Sequence, residues 1–286
     1  MKIEILDVGH GQSILVIGDN GSTMLFDCGD ASYRPSLYLP SIGCNGIDYF
    51  FVTNYDEDHL SDLPALRRRI PPRILYRNPS ITAQQLRLLK RQNGPISLAM
   101  ESLLGMLDQY TGPVTNTPIF PGTTFECFHN NYSLDFEDTN NLSLVTFLHY
   151  RDVHIVIPGD LETAGWKRLL QRQDFCEQLK TVNLFVASHH GRESGYCKEV
   201  FDYCQPALIL ISDEGKQYLT QEMVSTYASH ASGVKWGQDT RYVLTTRSDG
   251  KITIQQSATD NCATVFYECK SPVYTPTLFA AESYYP

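Results

Sequence analysis

The chain has 286 residues, 42% of them apolar and 19% charged, with a formal net charge of −9. That length and composition suit a folded protein with a sizeable core and argue against a disordered or low-complexity chain. The acidic balance argues against generic duplex-DNA binding, which depends on Lys and Arg releasing counterions, but leaves phosphate substrates open where a bound metal supplies positive charge.

The N-terminus enters a strand at once. Residues 2–8 and 13–18 read as strands joined by a turn at Gly9 and Gly11, and 24–26 as a third that ends at Asp27-Cys28-Gly29-Asp30. Residues 49–53 are continuously apolar, the mark of a strand buried on both faces. Ser61 to Arg69 predicts a short helix with Ser61 or Asp62 near its N-cap, stopped by Pro71-Pro72, and 73–76 a further strand. Helical periodicity over 82–110 is broken by Gly94-Pro95. Strands follow at 125–128, 142–148 and 153–157, then a helix at 161–172, a buried strand at 182–187, a helix around 196–203 and a strand at 207–211. Residues 242–246 and 251–255 predict a closing hairpin through Ser248-Asp249-Gly250. Strands followed by helices, twice over, give a layered α/β fold. Residues 1–270 read as one domain and 271–286 as a proline- and aromatic-rich tail.

No basic and apolar leader precedes the first strand, and no apolar run approaches the roughly 20 residues that span a bilayer. A cytoplasmic protein without membrane contact is the expectation. The eight cysteines form no CxxC pair and are expected to be reduced thiols.

Three polar clusters each follow an apolar strand, where side chains converge at one sheet edge. The first is Thr53-Asn54-Tyr55-Asp56-Glu57-Asp58-His59, whose acids would be costly to bury without a cation and which otherwise reads as a solvated turn. The second is Pro158-Gly159-Asp160, where Asp160 is either a site carboxylate or the N-cap of the next helix. The third is Ser188-His189-His190-Gly191, whose adjacent imidazoles point in different directions, so that one of them binds a given metal. Together they suit a divalent transition metal such as Zn or Mn. His10, His129, His149, His154 and His230 belong to no motif and read as structural.

In order and spacing, Asp56-x-Asp58-His59, Gly159-Asp160 and Ser188-His189-His190-Gly191 resemble the metallo-β-lactamase superfamily, as do Leu6-Asp7-Val8-Gly9-His10-Gly11-Gln12-Ser13 and Phe26-Asp27-Cys28-Gly29. Asn141-Leu142-Ser143-Leu144-Val145 followed by Gly159-Asp160-Leu161-Glu162 is similar to the hydrolase domain of ComEC-type competence proteins and their free-standing relatives, and the resemblance covers roughly residues 1–256. It implies a four-layer αββα fold. It further implies a metal site of Asp58, His59, bridging Asp160 and either His189 or His190. A second site loses two expected histidines, because Asn54 heads the motif and Asn140-Asn141 stands where another is usual; Asp56 and Asp160 alone remain to it. One secure metal and a doubtful second follow, and Mn suits the oxygen-rich donors better than Zn.

The function implied is a metal-dependent phosphodiesterase or nuclease acting on single-stranded nucleic acid or a small nucleotide. Asp58 or Asp56 would orient the attacking water, and His190, or whichever of His189 and His190 is no ligand, would protonate the leaving oxygen. Arg67-Arg68-Arg69, Arg73 and Arg77 would either help bind phosphate or form a solvated face. The competing reading is a degenerate enzyme kept as a binding or regulatory protein, with a protein partner. Oligomeric state is not encoded in any motif.

Overall fold

The computed structural model describes residues 1–29, 33–92, 94–214 and 223–268; the tail from 271 to 286 lies outside them. In the first sheet, β1 (Lys2–Ile5), β2 (Ile14–Ile17) and β3 (Thr23–Phe26) form an antiparallel meander. β4 (Tyr49–Phe51) and β5 (Ile74–Tyr76) extend it in parallel beyond β3. The second sheet opens with antiparallel β6 (Thr123–Phe128), β7 (Val145–Tyr150) and β8 (Val153–Ile157), and continues in parallel through β9 (Leu184–Val186) and β10 (Leu208–Ile211). β11 (Val234–Trp236) and β12 (Asp239–Arg241) make a separate ribbon. β13 (Val243–Thr245) adds to β10, whereas β14 (Ile252–Gln255) and β15 (Thr264–Tyr267) return to complete the first sheet beyond β1.

Alternation of side chains along each strand divides the core into three slabs. Ile3, Ile5, Ile14, Val16 and Phe26 of the first sheet meet Leu148, Ile155, Ile157, Leu184 and Leu210 of the second. On the outer face of the first sheet, Leu15, Leu25, Phe50 and Val52 pack under α1 (Pro35–Ser41), α3 (Leu63–Arg69), α4 (Ala83–Arg91) and α5 (Leu98–Gln109) through Leu39, Leu66, Leu86 and Leu103. On the outer face of the second, Phe147, Val156, Phe185 and Ile209 pack under α6 (Thr163–Leu169) and α7 (Gln173–Leu179) through Trp166, Leu169, Phe175 and Leu179. The result is the α/β/β/α layering that the resemblance implies. Each such side chain contributes about 1.5–3 kcal/mol by leaving water, and the strands buried on both faces are those that read as continuous apolar runs. No helix among the described residues is long and apolar enough to cross a membrane.

Several boundaries differ from expectation for local reasons. The run Glu57–Leu60 is itself a helical turn, α2, with Asp56 at its N-cap position. Asp62 precedes α3, but its carboxylate accepts bonds from the backbone and hydroxyl of Ser36 (2.7 and 3.0 Å), so it satisfies the N-terminus of α1 and not that of α3. α6 starts after Glu162, which frees Asp160 from the N-cap role, and the segment expected to continue it to residue 172 breaks and restarts as α7. The expected helix at 196–203 is a 3-10 turn over Lys198–Asp202.

The expected hairpin of 242–246 with 251–255 does not form. β13 pairs in parallel with β10, and β14 pairs with β1 in the other sheet. Between them Thr246–Asp249 closes a helical turn in which the Thr245 hydroxyl accepts from the Ser248 backbone N–H (3.2 Å). Gly250 leaves that turn at φ 70°, a region open to glycine, and carries the chain across to the first sheet.

Candidate metal centre

The ends of β3, β4, β8, β9 and β10 and the loop from β1 to β2 meet at one rim. There, ligand atoms of Asp58, His59, Asp160 and His190 all lie within 4.8 Å of one another. His59 is fully buried, Asp160 and His190 almost so, and Asp58 is the one partly open to solvent. His59 Nε2 stands 3.0 Å from Asp160 Oδ1, and His190 Nε2 stands 3.3 Å from Asp58 Oδ2 and 3.5 Å from Asp160 Oδ1.

Each histidine has its orientation fixed from behind. His59 Nδ1 donates to Asp27 Oδ2 (2.7 Å), a buried carboxylate that also accepts from the Thr53 backbone N–H (2.8 Å), the Gln12 amide (2.9 Å) and the Thr53 hydroxyl. His190 Nδ1 donates to the Ser212 carbonyl (2.9 Å), and Ser212 in turn donates to the Gly11 carbonyl (2.7 Å). With both Nδ1 atoms donating, both Nε2 atoms present lone pairs to two carboxylates. Four acceptors that converge need a cation between them.

The same crowding tunes the protons when no metal is bound. Burial disfavours charge on His59, but Asp160 and Asp27 outweigh it and raise its pKa well above the usual histidine value. His190 is raised in the same way, against its burial, by Asp160 and Asp58. Burial would raise the carboxyls, yet His59 and His190 hold Asp160 down to about 2, and the His190 hydrogen bond, with the charges of His59 and His190, takes Asp58 below the usual carboxylate range. His59 Nε2, His190 Nε2 and Asp160 Oδ1 are buried without a well-formed hydrogen bond. A tetrahedral divalent metal with nitrogen and oxygen donors fits that set.

The backbone takes unusual shapes to bring these groups together. His189 and His190 both adopt left-handed geometry (φ 51° and 55°), followed by Gly191 at 72°. Such turns cost non-glycine residues of order 1–2 kcal/mol each, and here they separate the two rings to 6.3 Å between centroids. His190 turns inward. His189 faces outward, with Nδ1 near Ser194 (2.9 Å) and Glu162 (3.4 Å) and Nε2 3.9 Å from Asp160. A Cβ on Gly11 would stand 2.3 Å, and one on Gly29 2.8 Å, from the Asp58 carbonyl, so both loops approach the centre only as glycine.

Two expected participants stand apart. Asp56 does not join the quartet; its Oδ1 is held by Lys90 Nζ (2.6 Å) and the Thr139 hydroxyl (3.0 Å). Asn54 donates to Asn140 Oδ1 (2.9 Å), Asn140 donates to Glu162 (3.2 Å), and Asn54 also approaches Ser143 Oγ (3.5 Å), which accepts from the Asp160 backbone N–H (3.2 Å). At the positions where two further histidines were expected, Asn54 and Asn140 are hydrogen-bonded to each other, and Asp56 is paired with Lys90 outside the quartet. His190 turns both ring nitrogens into the cluster, Nδ1 to the Ser212 carbonyl and Nε2 toward Asp58 and Asp160, whereas His189 is not one of the four converging residues. Of the basic residues expected near the site, Arg67 bonds to the Ser102 carbonyl, Arg73 to Asp48 and Arg77 to the carbonyls of Asn78 and Ile81, while Arg68 and Arg69 are exposed.

Other groups enter the site without a motif to mark them. His10, which reads as structural in the sequence, packs against His190 with the rings tilted by 48° (4.9 Å between centroids), and its Nε2 lies 3.7 Å from Asp58 Oδ2. Arg192 donates to His10 Nε2 (2.6 Å) and His189 Nε2 (3.2 Å). Burial, then the neighbouring His190 and Arg192 charges, lower His10 to about 4 and keep it neutral. Burial likewise lowers His189.

Comparison with known proteins bears on the fold. A variant of the CmlA β-hydroxylase, an enzyme whose parent structure is from Streptomyces venezuelae, superposes with a TM-score of 0.51 at 11% identity, covering 89% of this chain. This chain spans only 54% of that longer one. A diphosphatase of the PhnP family (TM-score 0.40, 12% identity, 74% of this chain and 86% of that one) and zinc-bound PqqB from Methylobacterium extorquens (0.36, 16%, 65% and 70%) are more distant. No curated protein matches the sequence significantly. A sequence profile does match, over residues 6–172, from the first strand through Asp58, His59 and Asp160 to the end of α6, and by that match the chain belongs to the metallo-beta-lactamase superfamily.

Proposed function

We propose that this chain is a metal-dependent phosphodiesterase with one metal at its active centre, acting on single-stranded nucleic acid or a small nucleotide, as the resemblance to ComEC-type hydrolase domains implies. The observation that carries the reading is the convergence of two oriented imidazoles and two carboxylates on one point, with Arg192 at its rim. Asp58, His59, Asp160 and His190 would hold the metal. Bound there, a divalent metal supplies Lewis acidity and acidifies a water.

The remaining work falls to the chain's own groups. Arg192 places a permanent positive charge beside His10 and His189, where an anionic phosphoryl oxygen would be drawn and oriented. Because Arg192 can only donate, His189 Nε2 carries a lone pair and its Nδ1–H faces Ser194. When Arg192 turns from His189 Nε2 to a phosphoryl oxygen, that lone pair becomes free, and neutral His189 would accept a proton from the attacking water there and return it to the leaving oxygen. Asp58, the partly exposed carboxylate, orients that water. Lys90 neutralises Asp56, so that this carboxylate does not repel an anionic substrate.

The test is an activity screen with added Mn or Zn against bis(p-nitrophenyl) phosphate, single-stranded and duplex DNA, and a cyclic dinucleotide. Turnover of a single-stranded or small substrate is expected, abolished by Asp160→Ala and reduced about 100-fold by Arg192→Met. No turnover with any metal would overturn the proposal in favour of a binding or regulatory protein that keeps the fold.

A further inference from the structure

Away from the rim, β7 and β8 place His149 and His154 directly across from each other. The backbone N–H and C=O of His154 both bond to Asn183, on the β9 side. The two histidines are thus a non-hydrogen-bonded antiparallel pair, the kind whose side chains stand closest. Their Nδ1 atoms are 3.1 Å apart, with the rings at 88°.

The hydrogen-bond partners fix both tautomers. His154 Nε2 is 2.8 Å from the Arg151 carbonyl, which only accepts, so Nε2 carries the hydrogen. His149 Nε2 is 3.0 Å from Gln178 Oε1, and the Gln178 amide nitrogen is committed to Glu126 Oε2 at 2.7 Å. The carboxylate sets which way the amide points, so His149 Nε2 also donates. Two Nδ1 lone pairs are left facing each other, an arrangement that repels unless a cation lies between them. A shared proton is one such cation, but burial and the neighbouring His154 lower the pKa of His149 and disfavour it at neutral pH.

We propose that His149 and His154 form a second, cross-strand metal site, binding a divalent ion that favours imidazole, such as Zn(II) or Cu(II), through both Nδ1 atoms with solvent completing its shell. With metal–nitrogen bonds of about 2.0–2.1 Å, the 3.1 Å spacing subtends about 98° at the ion, between square-planar and tetrahedral. Both rings are only partly buried, so an ion reaches them without opening the core. The site staples the hairpin whose second strand, β8, ends at the turn that presents Asp160.

Titration of the full chain with Zn(II), by calorimetry and by competition with a chromogenic chelator, counts the sites. His149→Gln and His154→Gln should each bind one equivalent fewer than wild type. Asp160→Asn should retain the event that those two lose, so this inference and the reading of the rim centre can fail separately. Equal stoichiometry in wild type and both variants would overturn the proposal and leave a shared proton. A second readout needs no variant. In protein with 15N-labelled histidine, Zn(II) should shift two Nδ1 resonances at this site, whereas the rim centre presents Nε2; no Nδ1 shift on saturation would also overturn it.

Discussion

Asp27 touches no ligand atom of the centre except through His59, which makes Asp27→Asn an informative perturbation. The change conserves volume, and asparagine tolerates the left-handed backbone at this position (φ 57°), so local strain is not its effect. Its consequence lies in the hydrogens. With the amide oxygen kept on the Thr53 N–H, the new NH2 meets the Gln12 amide, the Thr53 hydroxyl and His59 Nδ1–H, all of which donate to the wild-type carboxylate. The hydroxyl can rotate and the Gln12 amide can flip. His59 adapts only by moving its hydrogen to Nε2, the atom that faces Asp160. An Nε2–H cannot ligate a metal. Forcing the ring back costs a charge-assisted hydrogen bond, about 1.5–3 kcal/mol, which corresponds to a loss of about 10–100-fold in metal affinity. Chelator competition on wild type and variant in the His154→Gln background, so that the cross-strand pair does not contribute, reads that loss directly. Urea unfolding of the metal-free variant checks that its fold survives. Affinity within twofold of wild type in a folded variant would refute the argument that Asp27 sets the His59 tautomer.

Two further outcomes follow from the structure. Gly11→Ala puts a methyl 2.3 Å from the Asp58 carbonyl, so it should destabilise the protein by about 1–3 kcal/mol in urea unfolding and weaken metal binding by moving Asp58; unchanged values of both would contradict the contact. Burial lifts the Asp213 carboxyl to about 6, against the opposing charge of Arg247 at 3.1 Å. A carboxyl whose folded pKa exceeds its unfolded value of about 3.9 holds its proton more tightly when folded, so the stability it lends falls as pH rises. The unfolding free energy of wild type minus that of Asp213→Asn should therefore decline between about pH 4 and about pH 6, and a difference independent of pH would count against the buried-carboxyl reading.

The parts of the fold legible in the sequence are those with a local cause. Ile155–Ile157 is apolar because both faces of the strand are covered there, and the same holds for Tyr49–Phe51 and Leu208–Ile211. Asp58, His59, Asp160 and His190 were legible because each lies in the segment that leaves a buried apolar strand. Partner choice was not. Residues 242–255 carry two strand patterns around a turn-like Ser-Asp-Gly, and nothing local distinguishes a hairpin from two strands that join different sheets. The pairing of Arg192 with His10 is not legible for a similar reason: they lie on loops distant from each other in sequence, and only the fold brings them together beside His190. Lys90 reads as one more charge on an amphipathic helix, and only the packing of α4 against the first cluster turns it toward Asp56. His149 and His154 looked isolated because their relation is one of strand register, not of sequence motif.

The return of β14 to the edge of β1 has a consequence for synthesis. Lys2 pairs with Gln255, and the amino group of Met1 donates to the Gln256 carbonyl at 2.6 Å. A chain emerging from the ribosome N-terminus first therefore carries β1 with one side unpaired until β14 has been made. Such an open edge is a template for adventitious strand addition, and its closure sets a long-range, late step in folding. Vectorial folding of this protein should pass through a period in which its first sheet is incomplete and vulnerable, and release of the last strands, not of the helices between, should end it.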